Sequence, residues 1–324
     1  MRQVLRLSAL AGAVMLLAAC GRGDKMSTAA APAGSTSVAH AASAKPDAKP
    51  AAAMAGFVPP PESAIPDTPF GREVALGRKI FIDPGTYASA YVGNRLSCEN
   101  CHIDAGRLAY AAPMWGAYPA YPAYRSKNRH VNTFAERVQG CFRFSMNGKA
   151  PPLGDPVLVA LESYAYWMSQ GAPVGASLPG RGYPRLARPA KAPDYARGEQ
   201  VFKSHCALCH GADGQGQQVA GRTVFPPLWG PQSFNWGAGM HQVNNAAGFI
   251  KANMPLGRGD TLSDQDAWDV AYFMDAHERP QDPRYAGSIP ATRAKYHDSP
   301  QSLYGTVVNG KLLGQGTPPA ASTH

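Results

Sequence analysis

Two short runs constrain this chain more than anything else in it: Cys98-Glu99-Asn100-Cys101-His102 and Cys206-Ala207-Leu208-Cys209-His210. Each is a C-x-x-C-H element. Two thiols at that spacing can each form a thioether with one haem vinyl group, while the next residue's imidazole reaches the iron. One occurrence alone could be half of a zinc site. Two, each with a candidate sixth ligand downstream, point to two covalently bound haem c groups.

Those motifs use four of the six cysteines, which leaves Cys20 and Cys141. A disulfide scaffold does not fit that arithmetic. Cys20 closes a leader in which Arg2 and Arg6 form a positive start, Leu7 to Ala19 an apolar run, and Leu17-Ala18-Ala19-Cys20 resembles a bacterial lipobox. The run is too short for a spanning helix, so residues 1–20 are read as a signal peptide. The expected location is the periplasm, with membrane attachment through a lipidated Cys20 or, after ordinary cleavage, without lipid. Residues 21–58 are mostly Ala, Ser, Thr, Pro, Gly and Lys and read as a flexible tether.

The remaining length suits two domains and a tail. Ala75-Leu76-Gly77-Arg78-Lys79-Ile80-Phe81 parallels Ala196-Arg197-Gly198-Glu199-Gln200-Val201-Phe202, each a helix pattern ahead of its cysteine motif. Ala165-Tyr166-Trp167-Met168 likewise parallels Ala271-Tyr272-Phe273-Met274. This repeat resembles two class I cytochrome c domains, and the resemblance implies an all-α fold with them in tandem: 59–180, holding the first haem, and 181–280, holding the second, which suits electron transfer. Residues 281–324 read as a wrapping tail. Ile82 to Ser97 is an insertion unique to the first unit, a loop that either shapes a pocket or is merely structural.

The second axial ligands separate a wire from an enzyme. In the second unit Met254 lies in Asn253-Met254-Pro255-Leu256-Gly257 and is preferred over Met240. The first unit offers Met114, Met146 and Met168, none in a Met-Pro loop. Cys141 stands where a sixth ligand is expected. It reads either as an inert buried thiol or as a thiolate ligand beside the iron, and the ligand reading is preferred because the other cysteines are assigned. Arg137, Arg143 and Lys149 surround it in sequence, with Arg125, Lys127 and Arg129 upstream. Such clusters bind oxyanions, although some of these cations must pair with haem propionates. The formal charge of +9 comes from scattered residues, and with export this disfavours nucleic acid as a partner.

Three stretches carry a more specific resemblance: Gly93 through Cys98 to Arg107, Glu136-Arg137 through Cys141 to Ser145-Met146-Asn147-Gly148, and the Asn253-Met254-Pro255 loop. They resemble the dihaem thiosulfate dehydrogenases that form tetrathionate. The resemblance implies His102 and Cys141 as ligands of the first iron and His210 and Met254 of the second. It further implies oxidation of two thiosulfate to tetrathionate, with electrons passing via the second haem to a soluble cytochrome c or a high-potential protein acceptor. Arg137, Arg125, Ser145 and Lys149 are the expected holders of substrate around Cys141. Some members carry a lysine before the methionine that competes for iron; here that position is Asn253. The rival readings are a non-catalytic dihaem electron carrier, the same site run backward as a tetrathionate reductase, and a peroxidase, for which His130 and His241 are the only loosely placed acid–base candidates.

Overall fold

The computed structural model describes residues 57–220 and 222–318. The expected signal peptide, Cys20 and nearly all of the tether lie outside those residues. No helix among the described residues is long and apolar enough to cross a membrane.

Each of the two units is built on a crossed pair of helices. Helix α1 (Pro69–Ile82) starts where the Thr68 hydroxyl accepts the Gly71 N–H and Pro69 takes the first helical position. Its face Val74, Gly77, Ile80 and Phe81 is buried, the three- and four-residue spacing of a helix with one apolar side. After the first cysteine motif come α2 (Phe134–Phe144) and α3 (Pro156–Met168). In the second unit α4 (Tyr195–His205) precedes the motif, and α5 (Val243–Asn253) and α6 (Asp264–Asp275) follow it.

The repeat seen in sequence has a contact-level cause. A Cβ placed on Gly77 would lie 2.0 Å from the Ala160 carbonyl oxygen of α3, and one on Gly198 would lie 2.0 Å from the Asp269 carbonyl oxygen of α6. Only glycine lets the backbones approach that closely. One turn on, Phe81 meets Tyr164 with ring centroids 5.8 Å apart, and Phe202 meets Phe273 at 5.4 Å. Both crossings thus put an aromatic ring beside the cysteine motif.

Three two-stranded antiparallel ribbons among the described residues amend the all-α expectation: β1 (Ala123–Arg125) with β2 (His130–Asn132), β3 (Gln217–Val219) with β4 (Arg222–Phe225), and β5 (Val307–Val308) with β6 (Lys311–Leu312). Helices still carry both cores; the first two ribbons lie in connections between helices and the third follows the last helix. Past Pro280 the chain forms α7 (Ile289–Tyr296) and the last ribbon. Leu303, Tyr304, Val308 and Leu313 join the second unit's core, so this segment is part of that domain's packing as well as a wrap.

Candidate functional site

The first cysteine motif is held as a tight turn. Ser97 and Asn100 cap each other across Cys98–Asn100, the Ser97 N–H donating to the Asn100 side-chain oxygen at 2.8 Å. The His102 Nδ1–H donates to the Ala112 carbonyl at 2.7 Å, and since a carbonyl can only accept, the proton is on Nδ1 and Nε2 is left as a lone-pair ligand. The loop beneath His102 is strained: Asp104, Ala105, Tyr110 and Ala112 all have positive φ between 49° and 65°. Tyr164 braces it through a 2.8 Å hydrogen bond to the Ala105 carbonyl. Burial above all lowers His102 to about 4, against the pull of the Ala112 carbonyl, and nearby Arg137 adds to the lowering. The imidazole is therefore neutral, as a metal ligand must be.

Opposite this motif stands α2. Thr133 and Glu136 form a reciprocal capping box at its start. Arg137 and Cys141, one turn apart on the same face, then meet directly, with Arg137 Nη1 donating to Cys141 Sγ at 2.9 Å. Both residues are half-buried. The three cysteines of this region lie close together: burial first, then the neighbouring Cys141 sulfur, pushes the Cys98 thiol up and the Cys101 thiol up to about 12. Tyr183, from the connection between the units, places its hydroxyl 3.4 Å from the Cys101 carbonyl and its ring 5.4 Å from Phe249 of α5.

In the second site the His210 Nδ1–H donates to the Pro226 carbonyl at 3.0 Å, so this imidazole too presents Nε2. A cavity of about 660 Å³ opens in front of it, lined by Cys206, Cys209, Phe202, Leu228, Met240 and Met254 among other apolar residues. Its size and greasy walls suit a flat macrocycle, and its donor set of two thiols, an imidazole and a thioether suits covalently held, axially ligated haem. Asn100 and Cys101 of the first motif, with Ile103 just after it, line the same cavity, so the two attachment sites adjoin. From the insertion, Ile82, Leu96 and Ser97 line it as well, which favours the pocket-shaping reading of that segment.

The structure thus gathers Cys98, Cys101, His102, Arg137 and Cys141 into one site and Cys206, Cys209, His210 and Met254 into the other. Arg125, on β1, reaches toward the first site through the Tyr121 hydroxyl at 2.7 Å, and Tyr121 is one of the groups acting on Arg137. Ser145 follows the last turn of α2. Lys149 is exposed beyond it, with no side-chain hydrogen bond or ion pair among the described residues. Met114, Met146 and Met168 are buried in the first core. Asn253 is committed elsewhere, its amide donating to the Tyr110 carbonyl at 3.2 Å and the Phe249 carbonyl at 3.0 Å. His130 bonds Asn132 at 2.8 Å, and His241 is buried against His297 at 3.2 Å.

Lys127 is a neighbour that sequence reasoning leaves outside the site. Its ammonium donates to the Gly237 carbonyl and lies 3.8 Å from the centre of the Phe144 ring. Desolvation of that end, then the cations Arg284 and Arg137, lower it to about 7 although much of the residue is exposed. Nothing in the basic run 125–129 distinguishes it from Arg125 or Arg129; only the turn between β1 and β2 does.

Residues 86–174 match the family model described as SoxA/TsdA, cytochrome c domain, and residues 193–274 match that described as Cytochrome C oxidase, cbb3-type, subunit III. The thiosulfate dehydrogenase of Thiomonas intermedia (strain K12) is 62% identical over 303 residues, covering 93% of this chain and 95% of that protein. That of Stutzerimonas stutzeri (strain A1501) is 57% identical over 262 residues, covering 80% and 85%. A solved structure, thiosulfate dehydrogenase (TsdBA) from Marichromatium purpuratum, superposes with a TM-score of 0.78 at 52% identity and covers 81% of this chain. The present chain spans 58% of that solved chain's length.

Proposed function

The chain belongs to the thiosulfate dehydrogenase family, and from that premise we propose that it joins two thiosulfate dianions through their outer sulfurs to give tetrathionate at the Cys141 site. It is an oxidoreductase acting on thiosulfate and carries two covalently bound haem c groups. In this reading Cys98 and Cys101 would hold the first haem covalently and His102 and Cys141 would ligate its iron. Cys206 and Cys209 would hold the second, with His210 and Met254 as its iron ligands. When bound, the haem groups supply one-electron acceptors of different potential, thiolate ligation lowering the first and methionine raising the second.

The chemistry sets the protein's task. Each thiosulfate gives up one electron, one S–S bond forms, no proton moves, and a total charge of −4 becomes −2. Two dianions ~4 Å apart repel by roughly 4 kcal/mol even in water. Arg137 and Lys127, with Arg125 behind Tyr121, supply positive charge that offsets this repulsion in the substrates and less of it is needed once the product has formed. The observation that carries the reading is the guanidinium of Arg137 seated on the Cys141 sulfur beside the first haem motif. It orients the sulfur and leaves the remaining guanidinium donors for an oxyanion. Ser145 and Lys149, near the end of α2, are the outer members of the same cluster. The adjoining attachment sites favour electron passage to the second domain and out to a soluble cytochrome or high-potential protein. A periplasmic location, with or without a lipid on Cys20, suits such an acceptor.

The test is stoichiometry. Purified enzyme with ferricyanide should consume two thiosulfates for each tetrathionate formed and each pair of ferricyanides reduced. Sulfite or sulfate as the sulfur product would overturn the reading. Cys141→Met should keep both haems and lose most turnover.

A further inference from the structure

We propose that Asn235, a residue of the second domain, is a positioning residue for Cys141 of the first, resting on the reading above that Cys141 is an iron ligand. The last carbonyls of a helix have no partner within it. At the end of α2 three successive ones are met from outside. Asn235 Nδ2 donates to the Arg143 carbonyl at 2.9 Å and the Asn235 N–H to the Phe144 carbonyl at 3.1 Å. Asn94 Nδ2 donates to the Ser145 carbonyl at 2.8 Å.

These donors are themselves fixed. Asn235 is 1% exposed. Its Nδ2 also donates to Asn147 Oδ1 at 3.0 Å, and its Oδ1 accepts the Gly237 N–H at 3.0 Å. Asn94 ties the helix end to the Ser233 carbonyl, also at 3.0 Å. Gly237 packs against the Phe144 ring, where a Cβ would come within 2.4 Å of a ring carbon. A loop of the second domain therefore grips the final turn of α2 by hydrogen bonds and by ring contact.

Cys141 belongs to that turn. Its carbonyl accepts the Ser145 N–H at 2.8 Å and the Met146 N–H at 3.0 Å, so the gripped residues close directly onto it. The sulfur's reach is set on one side by Arg137 and on the other by the second domain. Firm external capping holds the thiolate at one distance, and loosening the cap makes it a weaker competitor against other ligands. The electron-accepting domain thereby sets how tightly the catalytic site keeps its sulfur ligand.

The experiment uses intact dihaem enzyme and Asn235→Ala, with Asn94→Ala as a milder second variant should the first accumulate poorly. Imidazole is titrated against the oxidised protein while the thiolate-to-iron absorption of the first haem and the methionine-to-iron absorption of the second are followed separately. Loss of the Asn235 side-chain bonds should lower the imidazole concentration that displaces the thiolate by about tenfold, and the Asn94 change should act in the same direction. The methionine signal should not move. Unchanged imidazole displacement in both variants, with only a lower melting temperature, would show the asparagines to be plain glue between domains and overturn the inference. A wild-type spectrum with no thiolate signal would overturn the Cys141 ligation reading itself, and this inference with it.

Discussion

Replacing Arg137 by alanine is the most informative perturbation of the first site. The guanidinium makes a 2.9 Å contact with the Cys141 sulfur, and that sulfur is the first cause of the rise in the Arg137 pKa, so the pair is strongly coupled. A hydrogen bond to a charged group contributes about 1.5–3 kcal/mol, which corresponds to roughly ten- to a hundredfold in a rate constant. Arg137 also offsets part of the repulsion between two dianions, so the loss should fall in the upper half of that range. The assay is kcat/KM for thiosulfate with a chemical acceptor, normalised to two haems per chain. Arg137→Lys keeps the charge but loses the planar fork and should lie between wild type and alanine. Fully haem-loaded Arg137→Ala enzyme within twofold of wild type would refute the reasoning.

Other consequences are independent of one another. Gly198→Ala should cost on the order of 1–3 kcal/mol or more through overpacking, because its Cβ would sit 2.0 Å from the Asp269 carbonyl; a thermal melt should show a clear drop, matched by Gly77→Ala, and an unchanged melt would contradict the close crossing. Lys127, lowered to about 7, is cationic below that pH and neutral above it, so KM for thiosulfate should rise between pH 6 and 8. In Lys127→Arg that rise should vanish, and its persistence would remove Lys127 from the site. His277, stacked 4.1 Å from Trp229 and held below its ordinary value chiefly by burial, binds a proton more readily when unfolded. Its stabilising effect is therefore present above about pH 6.5 and is lost as pH falls below it. His241 and His297, also held low by burial, act in the same direction, and a urea midpoint that did not fall between pH 7.5 and 5.5 would contradict this.

How much of this was legible beforehand follows from the range of each interaction. The haem motifs are readable because covalent chemistry fixes their spacing within five residues. The paired helices are readable because Gly77 and Gly198, with Phe81 and Phe202, repeat one packing solution in one chain. The β1–β2 and β3–β4 ribbons are too short for alternation to stand out from loop sequence. The segment after Pro280 shows its apolar residues in sequence, but not that Tyr304 lies between Trp236 and His297, with centroids 5.5 and 4.2 Å away. Lys127 carries no signal that sets it apart from its basic neighbours, and Asn235 carries none at all. One depends on a hairpin turn and the other on a loop nearly a hundred residues from the helix it caps.

The measurement that bears most directly on the account is near-infrared magnetic circular dichroism of the oxidised enzyme before and after one anaerobic addition of thiosulfate. One thiolate-ligated and one methionine-ligated iron, rapid haem reduction on mixing, and loss of the thiolate signal in Cys141→Ala are expected. Two methionine-ligated irons that thiosulfate leaves oxidised would contradict the account.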